Sequence, residues 1–187
     1  MVEYCIGTAQ FGMNYGIANK SGRPNCLEVD KILEYAVKNN IRYLDTAQSY
    51  GESEAVLGEA ISKLSNSDSI RIISKLSPDL QEKNPTIIIE SVKSSLKKLS
   101  MKSLYGFLAH RVKIINSDSF LSAIEIMKKN GLVIKTGVSV YTPEEALNVI
   151  NHPAVDILQI PFNILDKRWI DNGIIEKAKE KNIQLFF

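Results

Sequence analysis

The sequence IRYLDTAQSYGESEAVLG, residues 41–58, runs from an apolar segment through a polar loop into an amphipathic stretch. The apolar segment ends on a carboxylate, Asp45, and Tyr50 follows in the loop. A short apolar run followed by residues at helical spacing is typical of a β-strand that leads into a crossover helix. This stretch therefore predicts a strand–helix unit that carries polar side chains where its strand ends.

The same alternation continues along the whole chain. Seven apolar runs predict strands: YCIGTA (4–9), IRYLDT (41–46), IRIISKL (70–76), LYGFLAH (104–110), LVIKTGVSV (132–140), VDILQI (155–160) and IQLFF (183–187). Six amphipathic stretches predict the helices between them: 26–40, 53–64, 87–101, 119–131, 142–150 and 172–182. Near-continuous apolar strands separated by helices indicate a parallel sheet covered by helices, so the predicted class is α/β.

A parallel α/β sheet can be doubly wound or closed into a barrel, and periodicity does not separate the two. No Gly-rich phosphate fingerprint follows the first strand, which disfavours a dinucleotide-binding doubly wound sheet. We therefore expect one (β/α)8-barrel domain over residues 1–187. Such a barrel typically needs about 250 residues, so we expect an incomplete, C-terminally truncated barrel of six strand–helix units and a seventh strand.

The composition excludes several classes of protein. Hydrophobic residues make up 44% of the 187 residues and charged residues 24%, and 23 basic against 21 acidic residues leave a net charge of +2 without a basic run. Nucleic acid is therefore not an expected partner. No stretch approaches the roughly 20 apolar residues of a membrane span, so we expect a cytoplasmic protein. Cys5 and Cys26 lie at no metal-ligand spacing, which predicts free thiols and no metal site.

Four polar residues share one position in successive units of the predicted barrel. Asp45, Lys75 and His110 end the second, third and fourth strands, and Tyr50 lies in the loop after the second. The chemistry of parallel barrels is found at the C-terminal ends of strands, where these side chains should converge. An ammonium lowers the pKa of a nearby phenol, a carboxylate keeps that ammonium charged, and a histidine can hold a substrate oxygen. The set predicts proton donation to a carbonyl oxygen.

Each of these residues taken alone has a structural interpretation. Asp45 can cap the following turn, Tyr50 can be a packed loop aromatic, Lys75 a solvated charge and His110 a rim residue. Only their shared position at the ends of successive strands favours a catalytic site. Lys75 also allows a second enzyme class, a Schiff-base aldolase, although a neighbouring Asp45 disfavours a neutral amine.

These residues resemble the catalytic residues of the aldo-keto reductases, NADP(H)-dependent carbonyl reductases on a β/α barrel. The resemblance implies Tyr50 as general acid, Lys75 as the group that tunes it, Asp45 as the partner of Lys75, and His110 as the residue that orients the carbonyl. It also implies hydride transfer from NADPH to a small-molecule carbonyl. Six segments carry the resemblance over essentially the whole chain: residues 7–22, 44–61, 74–76, 107–110, 137–146 and 158–168.

The resemblance extends to residues that would contact cofactor and substrate. Ser139 and Gln159 match family positions that hold the nicotinamide amide, whereas Val140 stands where the family usually has asparagine. Asp45 also belongs to the implied cofactor-binding set. The other implied contacts are Gly7 and Thr8 for the cofactor. Phe11 and Tyr15 are candidates for the substrate wall, and plain packing is an equally good interpretation of both. The opening segment is similar to a bacterial subgroup associated with sugar-derived carbonyls; the substrate itself is not predicted.

The sequence departs from the family after the seventh strand. Family members continue there into a segment that grips the phosphates of the cofactor, at roughly 1.5–3 kcal/mol for each charge-assisted hydrogen bond. Without that segment we expect NADPH binding to be weakened by several orders of magnitude. Two hypotheses follow: a carbonyl reductase cut short, or an inactive family member that self-associates through its open barrel edges and binds NADPH weakly or not at all.

Overall fold

The computed structural model describes residues 3–80 and 84–187. Seven parallel strands form one sheet in chain order and curl into a nearly closed barrel. The strands are β1 (Cys5–Gly7), β2 (Tyr43–Asp45), β3 (Arg71–Lys75), β4 (Leu104–Ala109), β5 (Val133–Ser139), β6 (Ile157–Gln159) and β7 (Gln184–Phe186). The prediction of an incomplete parallel barrel with seven strands is confirmed.

Nine α-helices occur in the part of the chain that the structure describes. The six longer ones match the predicted amphipathic stretches, and three single-turn helices of four residues each were not predicted, because one turn is too short to show a period. The helices are α1 (Ala9–Gly12), α2 (Cys26–Lys38), α3 (Ser53–Ser62), α4 (Pro85–Leu99), α5 (Val112–Ile115), α6 (Asp118–Lys129), α7 (Pro143–Val149), α8 (Arg168–Asp171) and α9 (Ile174–Glu180).

Local sequence fixes where the longer helices begin. The side chain of Asn25 accepts the backbone N–H of Glu28 at the start of α2, and the carboxylate of Glu28 accepts the N–H of Asn25 in return. The Thr142 hydroxyl accepts an N–H at the start of α7, where proline occupies the first helical position. These bonds satisfy N–H groups that a helix leaves without partners, so both boundaries can be read from the sequence.

Apolar side chains form two separate cores. The larger core lies between the strands and the outer helices and contains Phe107, Phe120 and Trp169, all fully buried. The smaller core fills the barrel interior, where Phe186 packs edge-on against Tyr43 at 5.4 Å between ring centroids. The chain therefore builds a filled barrel rather than a channel, as barrels of this size do.

A polar network lies in the barrel at the end opposite the strand C-termini. Arg71 donates a hydrogen bond to the Tyr43 hydroxyl and stacks over the Tyr105 ring at 5.3 Å from its centroid. Tyr105 and Lys135 both donate to the side-chain oxygen of Gln184, at 2.6 and 3.0 Å. The network links β2, β3, β4, β5 and β7, so it ties the strands together below the apolar layer.

Strands β1 and β7 are the edges of the sheet, and each pairs with one neighbour. A cavity of about 450 Å³ lies between them and is lined in part by Cys5, Tyr43 and Phe186.

Cys5 and Cys26 are free thiols, as predicted. Within residues 3–80 and 84–187, no helix has the length and apolar character needed to cross a membrane.

Helices α3 and α4 approach so closely at Gly58 that a larger residue does not fit. A Cβ atom there would lie 1.9 Å from the Lys98 carbonyl oxygen and 2.9 Å from the Leu99 Cα. Gly58→Ala should therefore lower the free energy of unfolding by about 1–3 kcal/mol, although alanine favours a helix by about 1 kcal/mol. Urea denaturation measures the change. Gly7→Ala is the control, because its Cβ meets no atom within 4 Å; equal stability of the two variants would contradict the close approach.

Candidate active site

The ends of the central strands surround a cavity of about 210 Å³ at the C-terminal mouth of the barrel. Five predicted site residues line it: Tyr50, Lys75, His110, Ser139 and Gln159. They come from the ends of β3, β5 and β6 and from the segments that follow β2 and β4. The structure thus brings together side chains that are separated by up to 109 residues in the sequence, because parallel strands end at one face.

A buried ion pair forms the base of the site. The Lys75 ammonium donates a hydrogen bond of 2.5 Å to the Asp45 carboxylate, and their side chains are only 3% and 13% exposed. The two residues end adjacent parallel strands, in which Asp45 pairs with Ile73. This pairing with a carboxylate disfavours the Schiff-base alternative, which needs a neutral amine.

The Tyr50 phenol lies beside this pair, with the Lys75 ammonium 5.3 Å from its ring centroid. The pKa of Tyr50 is nonetheless raised, first by burial and then by the Asp45 charge and the phenols of Tyr15 and Tyr141. This differs from the expectation that Lys75 lowers the pKa of Tyr50. The ammonium faces the ring and is neutralised by Asp45, so burial has the larger effect.

Glycines allow the Tyr50 loop to pack directly against α1. A Cβ at Gly12 would lie 1.8 Å from the Tyr50 carbonyl oxygen, and one at Gly51 would lie 2.5 Å from the Gly12 carbonyl oxygen. Gly51 also has φ +57°, a conformation that favours glycine. The two glycines therefore fix how close the Tyr50 backbone comes to the helix after β1.

Three buried hydroxyl groups hold the start of α3 against the ends of β1 and β2. The Ser53 hydroxyl donates to the Thr8 carbonyl oxygen at 2.9 Å and accepts from the Thr46 hydroxyl at 3.0 Å. The Thr8 hydroxyl donates to the Asp45 carbonyl oxygen at 2.8 Å. The cluster anchors both ends of the segment that contains Tyr50.

His110 follows the last residue of β4 and is half-buried. Its pKa is lowered, first by burial and then by the charges of Lys75 and Arg111, against smaller opposing effects of the Leu76 backbone and the Asp45 charge. Its Nδ1 atom is buried and has no hydrogen-bond partner among the described residues. His110 is therefore neutral near pH 7 and can offer a ring N–H to a substrate oxygen without carrying charge.

Ser139 and Gln159 face the cavity from paired positions on β5 and β6. The N–H of Val140 donates to the main-chain oxygen of Gln159 at 2.9 Å, and the Val140 side chain is fully buried. Where the chain is described, neither the Ser139 hydroxyl nor the Gln159 amide has a hydrogen-bond partner. Their donors and acceptors are therefore available to a ligand, and Gly7 leaves open space at the end of β1.

The structure places two of the expected contact residues in the interior. Thr8 is fully buried, and its hydroxyl is used within the cluster around Ser53. Phe11 is 5% exposed and packs in the core between strands and helices, away from the mouth cavity. Tyr15 is 58% exposed and close enough to affect the pKa of Tyr50, so it lies at the rim.

Sequence reasoning missed two residues of this region. Tyr141 is half-exposed and lines the cavity directly after β5; its position two residues beyond Ser139 could have indicated this. Gln48 lies between Asp45 and Tyr50, and the partners of its side chain are 29 to 47 residues away in the sequence. No local pattern could have pointed to those contacts.

Comparison with known proteins agrees with this geometry. A model of the Aldo/keto reductase family matches residues 3–186. The chain belongs to the aldo/keto reductase family. Aldo/keto reductases as a family are oxidoreductases of carbonyl compounds and generally use NAD(P)H.

Individual known proteins resemble the chain at low sequence identity. Protein REDOX 2 of Catharanthus roseus is 28% identical, with 92% of this chain and 59% of the relative covered. The NAD(P)H-dependent 6'-deoxychalcone synthase of Glycine max is also 28% identical, over 79% of this chain and 53% of its own length. A crystal structure assigned to the aldo-keto reductases, from Pseudomonas aeruginosa, superimposes with a TM-score of 0.80 at 24% identity and covers 97% of this chain and 70% of its own. The chain spans about half the length of the curated relatives it matches, from 47% to 59%.

The buried ion pair gives a prediction about stability. Asp45→Asn or Lys75→Met alone should lower the free energy of unfolding by about 3–5 kcal/mol, because each leaves an unpaired charge or an unpaired polar group in the interior. The double variant should lose less than the sum of the two, since it removes both charges. Urea denaturation of the four proteins measures this coupling. Additive losses would contradict a direct interaction between the two side chains.

The lowered pKa of His110 predicts how stability depends on pH. The unfolded chain binds a proton at His110 near pH 6.5, whereas the folded protein binds it only at lower pH. Acidification through this range therefore favours the unfolded state. Between about pH 7.5 and 5.5, the parent should lose more stability than His110→Gln in urea denaturation. Equal losses in the two proteins would show that His110 is not kept neutral by the fold.

Proposed function

We propose that this chain carries the site of an NADPH-dependent carbonyl reductase, with Tyr50 as the proton donor. The observation that carries the proposal is the mouth cavity, in which Tyr50, Lys75 and His110 face one another at the ends of neighbouring strands. The substrate would be an aldehyde or ketone, and the product the corresponding alcohol.

Tyr50 is suited to give a proton to a carbonyl oxygen as that oxygen becomes negative. Its raised pKa keeps the phenol protonated at neutral pH, and an alkoxide is a far stronger base than a phenolate. The proton transfer is therefore favourable although the phenol is a weak acid. Lys75, held in place by Asp45, stabilises the phenolate that remains, and neutral His110 donates a hydrogen bond to the same substrate oxygen.

The residues that would hold the nicotinamide fit that group. Ser139 and Gln159 offer hydroxyl and amide groups to a carboxamide, and Gly7 allows a flat ring to lie against the end of β1. NADPH, when bound, would supply the hydride. Thr8 is not part of this proposal as a side-chain contact, because its hydroxyl is bonded within the fold.

A second candidate is a family member without turnover that self-associates. Its support is the sheet edge: β1 and β7 each have one strand partner, with the cavity of about 450 Å³ between them. Unpaired edge groups are a template for pairing with another chain. This candidate would bind NADPH weakly or not at all.

Turnover with a small aldehyde tests the proposed reaction. The parent should oxidise NADPH, and Tyr50→Phe should lower kcat by about 10²- to 10⁴-fold, the usual contribution of a general acid. The measurement is the loss of reduced-nicotinamide absorbance. Because Tyr50→Phe removes one oxygen atom at a partly exposed position, calorimetric NADPH affinity and thermal stability should stay unchanged and serve as controls.

The two candidates give different results. NADPH binding without oxidation, over a broad panel of aldehydes and ketones, would contradict the reductase. A dimer or larger oligomer that forms with rising protein concentration, together with absent NADPH binding in calorimetry, would favour the second candidate.

A further inference from the structure

Gln48 uses its backbone N–H and both polar atoms of its side chain to connect the Tyr50 loop to the next strand–helix unit. Its backbone N–H donates to the Lys75 carbonyl oxygen at 3.1 Å. Its side-chain oxygen accepts the N–H of Ser77 at 2.9 Å. Its side-chain nitrogen donates to the hydroxyls of Ser91 and Ser95, each at 3.1 Å.

The partners of Gln48 belong to the unit that carries Lys75. Ser77 follows β3, and Ser91 and Ser95 lie one turn apart on α4, so both hydroxyls can point at one amide nitrogen. The Ser91 hydroxyl in turn donates to the Ile88 carbonyl oxygen at 2.7 Å, which fixes its orientation. The amide of Gln48 is therefore held by two elements at once.

Tyr50 is two residues from this contact and in the same turn. The Tyr50 N–H donates to the Ala47 carbonyl oxygen at 3.0 Å, so Gln48 lies inside the turn that presents the phenol. The other side of the loop is held by the close approach of Gly12 and Gly51. The Gln48 side chain thus links this loop to α4 and to the segment that follows Lys75.

We propose that Gln48 is a positioning residue that sets the placement of the Tyr50 phenol relative to the Lys75 ammonium. It contacts neither substrate nor cofactor and acts through Tyr50. The effect of this placement on catalysis rests on the proposed role of Tyr50 as proton donor. The placement itself does not depend on that role.

The local reactivity of Tyr50 tests the placement without any need for turnover. Tetranitromethane attacks exposed phenolates, so nitration at each tyrosine, read by peptide mass, reports burial and pKa together. Gln48→Leu keeps the side-chain size and removes its three side-chain hydrogen bonds. Nitration of Tyr50 should rise about tenfold, which corresponds to a fall of one unit in its pKa as the loop opens. Gln48→Glu keeps an acceptor for the Ser77 N–H and can accept from the Ser95 hydroxyl, while the Ser91 hydroxyl remains bonded to Ile88, so nitration of Tyr50 should be slower than in Gln48→Leu.

Two controls separate positioning from a general loss of stability. Thr136→Val removes a buried hydroxyl that donates to the Ala154 carbonyl oxygen at 2.8 Å, on β5 and away from Tyr50. It should leave nitration of Tyr50 unchanged. Within each protein, buried Tyr43 should stay unreactive and exposed Tyr35 should react at a constant rate.

Several outcomes would overturn the inference. Unchanged nitration of Tyr50 in Gln48→Leu, an equal rise in Thr136→Val, or a parallel rise at Tyr43 would each show that Gln48 does not place the phenol. In a chain with turnover, Gln48→Leu should lower kcat and leave KM near the parent value; a raised KM with parent kcat would also overturn it. A parent without NADPH oxidation would contradict the proposed function alone, because the nitration result needs no cofactor.

Discussion

The site depends on one interaction, the ion pair between Asp45 and Lys75 at the ends of two adjacent parallel strands. Removing two charges from water costs several kcal/mol for each ion, and the cost is recovered only with close contact and further hydrogen bonds. Parallel pairing of β2 and β3 supplies that contact, because it brings both strand ends to one face. The pair thus fixes a buried positive charge next to the Tyr50 ring, where a lone lysine would tend to lose its proton.

The loop that carries Tyr50 is held on both sides by contacts of different kinds. On the side of β1, Gly12 and Gly51 permit backbone contact that any Cβ would prevent. On the side of β3, the amide of Gln48 bonds to the following loop and to α4. Behind it, Ser53 joins the ends of two strands to the start of α3. A phenol on an otherwise irregular segment thereby acquires a defined position, which proton transfer requires.

Sequence patterns predicted the strands, the six longer helices and the convergence of Asp45, Tyr50, Lys75 and His110, because periodicity and strand order are local or topological properties. They did not predict the raised pKa of Tyr50, since that value depends on burial and on phenols from two distant loops. The sequence left open whether Phe11 packs in the core or faces the substrate, because a phenylalanine near a strand end looks the same in both cases; the structure buries it. Contacts such as those of Gln48 depend on residues brought together only by folding.

The residues of the site lie at the ends of the central strands, away from the two edge strands of the sheet. The strands that end near Asp45, Lys75, His110, Ser139 and Gln159 are β2 to β6, and each of them is paired on both sides. The edges are β1, which ends at Gly7, and β7, which is followed by Phe187 at the wall of the cavity. The ion pair joins β2 and β3, which each pair with a strand on both sides, whereas the loop that carries Tyr50 also contacts Gly12 and Thr8, which follow edge strand β1. The ion pair is therefore independent of the two edge strands, whereas the position of Tyr50 also depends on the segment that follows β1.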